Sequence, residues 1–309
     1  MRTFIYKSTL SAFNFLPVFI RSLIIQLVRF LRLPNAKFYK DLKYIGQVKV
    51  YTGSNYFRII AAGGTIENEL FWKGLNHSLE PETIWIWKLL AIRAKTVIDI
   101  GANTGIYSLL TKAINPPCSV YSFEPSKTTF AKLVKNIEMN HFDIDAFQLA
   151  ISNKNSESVF YDVFDEHQTS ASLSPKMLKD NPGYTGALNE YKVKTITFDR
   201  FVEENNITTV DLIKVDVELH EPEVFEGMQL TIEKMQPIIV FEVLLPEIAD
   251  RLNEFFYMKE YILFHLETDS GKAFRLKEVE KLVGLVNFDW NYLACPAEKI
   301  PFLKEVGAF

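Results

Sequence analysis

From residue 96 onward, short apolar runs alternate with longer segments in which apolar residues recur every three or four positions. Runs of the first kind predict buried β-strands, and segments of the second kind predict amphipathic helices. Buried strands that alternate with helices form a mostly parallel sheet covered on both faces, so the pattern predicts a doubly wound α/β domain. The main predicted strands are "TVIDIG", "SVYSFEP", "IDAFQLAI", "DLIKVDV" and "PIIVFEV".

The alternation lapses over residues 152–197, where "SVFYDVF" and "EYKVKTITF" predict two half-buried strands around a polar loop. A single helix is predicted over residues 221–235, "EPEVFEGMQLTIEKM". Two further strands, "ILFHLET" and "NYLACP", are predicted near the C-terminal end. The interruption therefore predicts a strand-loop-strand insertion within one α/β domain.

The N-terminal part of the chain has a different character. Residues 1–40 contain seven Lys or Arg residues and no acid before Asp41. Residues 41–94 predict short strands broken by glycines and then a helix at "EPETIWIWKLL", which form a lead-in to the sheet. We therefore predict a basic N-terminal segment, 1–40, followed by one domain over 41–309.

Within the basic segment, the pattern after Pro17 predicts an amphipathic helix with Ser22, Gln26 and Arg29 along a polar stripe. The apolar stretch before Arg21 is too short for a spanning helix, which needs about 20 apolar residues. Two interpretations remain open. In the first, residues 1–35 dock peripherally on an anionic membrane surface. In the second, the apolar side of the helix packs against the domain or a partner subunit.

Composition and charge narrow the class of protein. The 309 residues carry a formal net charge of −4 and contain no motif that reads DNA or RNA, so we expect no nucleic-acid partner. Only two cysteines occur, far apart and outside any Cys/His cluster, which favours a reducing, cytoplasmic compartment and argues against structural zinc.

The first strand after residue 95 ends in a break, "DIGANTG", before an amphipathic helix begins. In doubly wound sheets, ligands bind beyond the carboxyl ends of the strands, near the point where strand order reverses. The break lies at that edge, and Gly101 and Gly105 have no side chains, so we expect a ligand to approach the backbone there. Glu124 ends the next strand, where a carboxylate can accept hydrogen bonds from both hydroxyls of a ribose.

The break does not fit a dinucleotide site. Such a site has the spacing G-x-G-x-x-G, whereas Asn103 occupies the place of the second glycine. The charge of Asp99 beside the loop suits a cationic ligand better than pyrophosphate. Together with Glu124, this pattern predicts S-adenosyl-L-methionine, whose sulfonium is positive and which has no phosphate.

Five segments, "VIDIGANTGIYSL", "FEPSKTTFAKLVKNIEMN", "LIKVDVELHEPEVFEGM", "IIVFEV" and "NYLACP", resemble successive blocks of the FkbM family of methyltransferases. The resemblance covers roughly residues 65–297. It implies a class I, Rossmann-like methyltransferase fold with a seven-stranded, mostly parallel sheet, an antiparallel last strand, and methylation of a hydroxyl. It implies that the cofactor is bound by Asp99, Gly101, Ala102, Asn103, Gly105, Glu124, Pro125, Ser126, Ala150 and Ile151.

Chemistry is expected where "KVDVELHEPE" and "FEV" end their strands at the same edge. Methyl transfer to oxygen requires alignment of the reacting atoms and a base for the hydroxyl proton. His220 is a candidate base because histidine titrates near neutral pH, and the carboxylates Asp216, Glu218 and Glu242 are the alternatives. Neighbouring carboxylates could also bind Mg²⁺, but we assign no metal. The family block has a glycine where this chain has Leu219.

The predicted function is an S-adenosylmethionine-dependent O-methyltransferase that acts on a sugar, a glycan or a small hydroxylated metabolite. The alternatives are a nicotinamide-dependent oxidoreductase and a non-catalytic, membrane-associated protein on a methyltransferase scaffold. Irregular connections in compact domains often cover a site, so Thr169–Ser172 are expected to lie over it and help select the acceptor. Oligomeric state and acceptor remain open.

Overall fold

A computed structural model describes residues 13–31, 42–78, 80–163, 171–174, 188–269, 273–284 and 290–308. The chain divides into two compact units, residues 1–79 and residues 80–309. Among the residues so described, no helix combines the length and the apolar character needed to cross a bilayer.

The N-terminal unit contains a helix, a β-hairpin and a second helix. Helix α1 (Val18–Phe30) begins directly after Pro17, as the pattern predicts. Strands β1 (Ile45–Tyr51) and β2 (Tyr56–Ala62) pair antiparallel along their whole length. Helix α2 (Thr65–Lys73) ends at a glycine and is followed by a short 3₁₀ turn, Leu75–His77. The ring of Phe71 in α2 stacks on Tyr44, with centroids 4.0 Å apart.

The C-terminal unit is built on an eight-stranded sheet. Its strands are β3 (Thr96–Ile100), β4 (Ser119–Phe123), β5 (Asp145–Phe147), β9 (Leu212–Val215), β10 (Ile238–Glu242), β11 (Tyr261–Asp269), β12 (Ala273–Val279) and β13 (Asn291–Pro296). Their order in the sheet is β12-β11-β13-β10-β9-β3-β4-β5. Strands β3, β4, β5, β9 and β10 run parallel, and β13 lies antiparallel between β10 and β11.

The mostly parallel α/β sheet and its antiparallel strand β13 are confirmed, but the described sheet has one strand more than the seven predicted. The additional strand is β12, which pairs with the outer side of β11. Its sequence "AFRLKEV" alternates apolar and polar residues, as suits an edge strand with one face exposed. The antiparallel pairing turns β11 and β12 into an edge hairpin.

Helices connect the parallel strands. Their starts follow local capping rules: Ser126 accepts a hydrogen bond from the Thr129 amide, and Thr197 accepts one from the Arg200 amide, each at 3.3 Å. The helices are α3 (Pro81–Ala91), α4 (Ile106–Ile114), α5 (Lys127–Asn140), α6 (Phe198–Glu204), α7 (Glu221–Glu226), α8 (Gln229–Met235), α9 (Pro246–Phe256) and α10 (Ile300–Glu305).

Two predicted elements are each divided in the structure. "IDAFQLAI" forms β5 in the large sheet and β6 (Ala150–Ile151) in a separate three-stranded sheet with β7 (Ser156–Val163) and β8 (Leu188–Ile196). The single helix predicted over residues 221–235 is α7 and α8, separated at Gly227. A side chain at Gly227 would overlap the carbonyl oxygen of Ser152, because the backbones of these two residues are in close contact.

Candidate active site

The strand order of the large sheet reverses between β3 and β9, and the predicted site lies at the carboxyl end of these strands. Asp99 is paired with Lys214 in the register of β3 and β9. Asp216 directly follows β9, and its amide donates to the carbonyl of Ile100 at 3.0 Å. Glu242 is the last residue of β10. The topology therefore brings the predicted strand-end acids to one edge of the sheet.

The two glycines of the loop after β3 are explained by contacts within the chain as well as by the expected approach of a ligand. Gly101, Asn103 and Gly105 all have positive φ angles, of 80°, 49° and 95°. A side chain at Gly101 would overlap the carbonyl oxygen of Asp216, and one at Gly105 would lie 2.5 Å from the side chain of Leu133. Packing within the chain therefore requires a glycine at both positions, in addition to any need for a ligand to approach the backbone. Asn103 tolerates the left-handed conformation that a glycine would otherwise supply.

Asp99 is buried and only half satisfied by hydrogen bonds. Its Oδ2 atom accepts from the amide and hydroxyl of Ser108, at 3.1 and 2.5 Å. Its Oδ1 atom has no hydrogen-bond partner among the described residues. Burial raises the pKa of Asp99 to about 6, against the lowering effects of Ser108 and Lys214. A cationic ligand at Oδ1 would favour the ionised carboxylate.

Glu124, at the end of β4, holds the glycine loop and the next helix together. Its two carboxylate oxygens accept from the amides of Asn103 and Ser126, at 3.0 and 2.8 Å. Burial raises its pKa to about 7, although the two amides lower it. Each oxygen retains a lone pair for another donor, so ribose binding by Glu124 stays a prediction.

Two charged residues that the sequence analysis did not single out belong to the same site. Lys214 is 1% exposed, and its Nζ atom lies 3.2 Å from Oδ2 of Asp216. Glu80, which precedes α3, accepts from the hydroxyl of Tyr107 at 2.9 Å. The lysine was visible in the sequence as a charge inside the apolar run "LIKV", whereas nothing in the sequence links Glu80 to β9.

We call Glu80, Asp99, Asp216, Glu218 and Glu242 the acidic cluster. Burial is the largest cause that raises the pKa of Glu80, Glu218 and Glu242, and Asp216 raises all three further. Within the described ranges, one oxygen each of Glu218 and Glu242 is buried without a hydrogen-bond partner. With Lys214 as its cation, the cluster has an excess of carboxylates, which is an arrangement that favours a cationic ligand.

The contacts of His220 among the described residues are made outside the acidic cluster. Its Nε2 atom is 3.0 Å from the hydroxyl of Ser152, and its Nδ1 atom is 3.4 Å from Glu223. Burial lowers its pKa, and the charges that act on it are those of Glu223, Glu226 and Arg251. A role for His220 as the base stays a prediction.

The loop after β9 is strained. Glu218 and Leu219 both adopt positive φ angles, of 54° and 74°, and the side chain of Leu219 is buried in the core. The family's usual glycine would enter this conformation without strain, so Leu219 offsets its backbone strain by apolar burial. Glu221 is also buried; one oxygen accepts from the amide of Val217 at 3.3 Å, and burial raises its pKa to about 7.

The remaining predicted cofactor residues flank the loop. Ser126 caps α5 and donates to Asp162 at 3.0 Å, and Pro125 is partly exposed beside it. Ala102, Ala150 and Ile151 are buried. Their role as cofactor contacts stays a prediction.

The described part of the predicted covering loop contacts the site. Ser172 donates to the carbonyl oxygens of Val217 and Glu218, at 3.2 and 2.5 Å. It also pairs through its backbone with Tyr161 in β7. Thr169 and Ser170 lie outside the described residues. The insertion is thus joined to the loop that carries Glu218.

A family model, the methyltransferase FkbM domain, matches residues 99–269, which is more than half of the chain. The chain belongs to the FkbM methyltransferase family. Among curated proteins it is 27% identical over 145 residues to hexuronic acid methyltransferase AglP of Haloferax volcanii, covering 46% of this chain and 53% of that protein. It is 25% identical over 153 residues to 31-O-demethyl-FK506 methyltransferase FkbM of Streptomyces tacrolimicus, with 43% and 59% covered.

The chain thus spans little more than half the length of these curated relatives. Among solved structures, it is similar to a methyltransferase FkbM from Methylobacillus flagellatus KT, with 12% identity, a TM-score of 0.40, and 71% of this chain and 52% of that chain covered. It is also similar to an O-methyltransferase from Bacillus cereus, with 11% identity, a TM-score of 0.42, and 91% and 100% covered.

Membership of this FkbM family makes S-adenosylmethionine the cofactor. The residues present fit this molecule. Buried carboxylate oxygens of Asp99, Glu218 and Glu242 lack hydrogen-bond partners among the described residues, and the carboxylates there outnumber the single ammonium of Lys214. A sulfonium and an ammonium group would offset this excess of negative charge. Within the described ranges, no three His, Cys, Asp or Glu side chains are arranged to hold a metal ion.

Proposed function

We propose that this FkbM-family chain is an S-adenosylmethionine-dependent O-methyltransferase that acts on a hydroxyl of a sugar, a glycan or a small metabolite. The observation that carries the proposal is the acidic cluster at the carboxyl edge of β3, β9 and β10, beside a left-handed loop and next to Glu124. The excess carboxylates suit a cationic methyl donor, and the family supplies the class of reaction.

The bound cofactor supplies a methyl group attached to a positively charged sulfur. In the proposal, Asp99, Gly101 and Asn103 hold its methionine end, because Asp99 retains a free carboxylate oxygen there. Glu124 holds the ribose with the lone pairs that its two amide contacts leave available. The adenosine lies along the backbone of the remaining predicted residues, which are Ala102, Gly105, Pro125, Ser126, Ala150 and Ile151.

The structure favours a carboxylate over His220 as the proton acceptor. Asp216 has a side chain that is 27% exposed and is therefore open to a substrate, and Lys214 holds it by an ion pair. Burial and the charge of Asp216 raise the pKa values of Glu218 and Glu242, and in its ionised form either carboxylate can take the proton that the acceptor hydroxyl loses. We assign proton acceptance to this group, with Asp216 as the residue that contacts the acceptor.

The carboxylates of the acidic cluster also affect which acceptor is favoured. Carboxylates within the site repel a second anion, so a neutral hydroxyl is the favoured nucleophile. A neutral sugar or a hydroxylated metabolite satisfies this requirement. The 31-O-demethyl-FK506 methyltransferase among the relatives is in keeping with it, whereas the hexuronic acid methyltransferase is named for an acidic sugar. We therefore expect neutral glycosides to be methylated in preference to matched uronates.

Thermal denaturation with added ligands tests the cofactor, and transfer of a labelled methyl group tests the reaction. S-adenosylhomocysteine should raise the midpoint of unfolding and NADH should not, because only a ligand bound by the native state stabilises it. Asp216→Asn should keep the ligand shift and lose most turnover. The matched control, Asp250→Asn on the exposed side of α9, should keep both.

Three results would contradict the proposal or one of its parts. A folded protein whose midpoint rises with NADH and not with S-adenosylhomocysteine would indicate the oxidoreductase alternative. Full turnover by Asp216→Asn would remove that residue from the reaction. A ligand shift without methylation of any neutral or anionic hydroxylated acceptor in the panel would favour the non-catalytic alternative.

A further inference from the structure

Helix α1 presents its polar stripe to the protein. The hydroxyl of Ser22 donates to the carbonyl of Ile45 at 2.7 Å, and the amide of Gln26 donates to the hydroxyl of Tyr44 at 3.2 Å. Ile25 is completely buried on the same side. The hydrogen-bonding residues of this amphipathic helix are therefore occupied by the β1 end of the hairpin.

The opposite side of α1 is apolar and exposed. Within the chain this apolar side is left uncovered, since five large side chains there are more than half exposed. We call these five residues the outward stripe: Phe19 (67%), Leu23 (61%), Leu27 (56%), Phe30 (82%) and Leu31 (52%).

A contiguous exposed apolar surface of this kind marks an interaction site. Isolated exposed apolar residues are ordinary, but these five recur at helical spacing along a 13-residue helix and the C-cap residue, Leu31, that follows it. The helix rises about 20 Å, which is shorter than the hydrocarbon thickness of a bilayer. A helix of this length and pattern fits the interfacial region of a membrane, where it lies parallel to the membrane plane.

The two units of the chain differ strongly in formal charge. Residues 1–79 contain 11 Lys or Arg against 3 Asp or Glu, a formal charge of +8. Residues 80–309 contain 23 Lys or Arg against 35 Asp or Glu, a formal charge of −12. The outward stripe thus belongs to a strongly basic unit within an acidic protein.

We propose that the outward stripe inserts into the headgroup region of a membrane that contains anionic lipids. Anionic headgroups attract a unit of charge +8, and the apolar side chains are buried among the acyl chains. A second copy of the chain is a poorer occupant, because a symmetric contact through the same stripe would place two such units against each other. The proposal is independent of the methyltransferase activity.

Flotation of the full chain with lipid vesicles tests the proposal. The protein should float with vesicles of phosphatidylcholine and phosphatidylglycerol, should float much less with phosphatidylcholine alone, and should be released by added salt. Leu23→Gln/Leu27→Gln should bind at least about tenfold more weakly, because each substitution removes apolar area from the interface.

The matched control is Leu230→Gln/Met258→Gln, which replaces two exposed apolar residues of the other unit, 52% and 85% exposed, and should leave binding unchanged. Both double variants should unfold at the wild-type temperature, since all four side chains are exposed. Equal flotation of the two double variants would overturn the proposal. So would a wild-type dimer that Leu23→Gln/Leu27→Gln dissociates, which would identify a second copy as the occupant.

Discussion

Replacement of Lys214 by methionine removes the cation that lies against the acidic cluster in the described part of the chain, and it nearly keeps the length of the side chain. Burial works against the charged ammonium, but Asp216, Glu80 and Glu242 outweigh it, so the pKa of Lys214 lies above its ordinary value. The ammonium is therefore held by several carboxylates that have little access to water.

Removing one partner of a buried ion pair leaves an uncompensated charge and costs about 3–5 kcal/mol. We expect Lys214→Met to lose that much stability at pH 8, where a larger share of the carboxylates is ionised than at pH 5.5. Without the lysine, their pKa values rise further, so they take up protons as the pH falls. At pH 5.5 the loss should be smaller by at least about 1 kcal/mol.

Urea denaturation at pH 8 and pH 5.5, followed by circular dichroism, measures both values. Lys112→Met is the matched control, because Lys112 is also buried but its Nζ atom donates to two backbone carbonyls, of Pro116 and Cys118. Its loss of about 1–3 kcal/mol should be the same at both pH values. A loss below about 1 kcal/mol for Lys214→Met, or one that does not change with pH, would refute the electrostatic account of the cluster.

Two further predictions concern the loop and the buried acids. Gly101→Ala should destabilise the protein by at least about 3 kcal/mol more than Gly307→Ala, as measured by urea denaturation. Both glycines have φ near 80°, but only Gly101 faces a carbonyl, that of Asp216. Equal losses would contradict the packing account. The unliganded protein should lose at least about 4 kcal/mol of stability from pH 5 to pH 8, since the raised pKa values of Asp99, about 6, and of Glu124 and Glu221, about 7, stabilise the fold below their ordinary pKa values and cease to do so above pH 7. Glu124→Gln should remove about 2 kcal/mol of this change in the same titration, and an unaltered pH profile would show that this carboxylate is not a source of it.

The positions of the strand-end acids follow from the sequence because they depend on short-range pattern. Asp99, Glu124 and Glu242 each end an apolar run, and parallel strands bring such ends to one edge. Glu80 could not be predicted in the same way. Its proximity to Lys214 depends on how the chain before α3 enters the sheet, which is a long-range property.

Periodicity also identifies an amphipathic helix without identifying the side that faces protein. The pattern after Pro17 correctly predicts α1, yet the orientation depends on polar partners in the hairpin, such as the carbonyl of Ile45. Breaks in elements are equally dependent on context. The predicted helix is divided at Gly227 because the backbone of Ser152 passes there, more than 70 residues earlier in the chain.

The central claim is that the edge of β3, β4 and β9 binds S-adenosylmethionine through Asp99 and Glu124. Titration calorimetry with S-adenosylhomocysteine on the folded full chain measures it most directly. We expect one binding site per chain, with affinity at least about tenfold weaker in Glu124→Gln, since the ribose loses an acceptor. Absence of binding heat across a range of temperatures, in protein that still unfolds cooperatively, would contradict the claim.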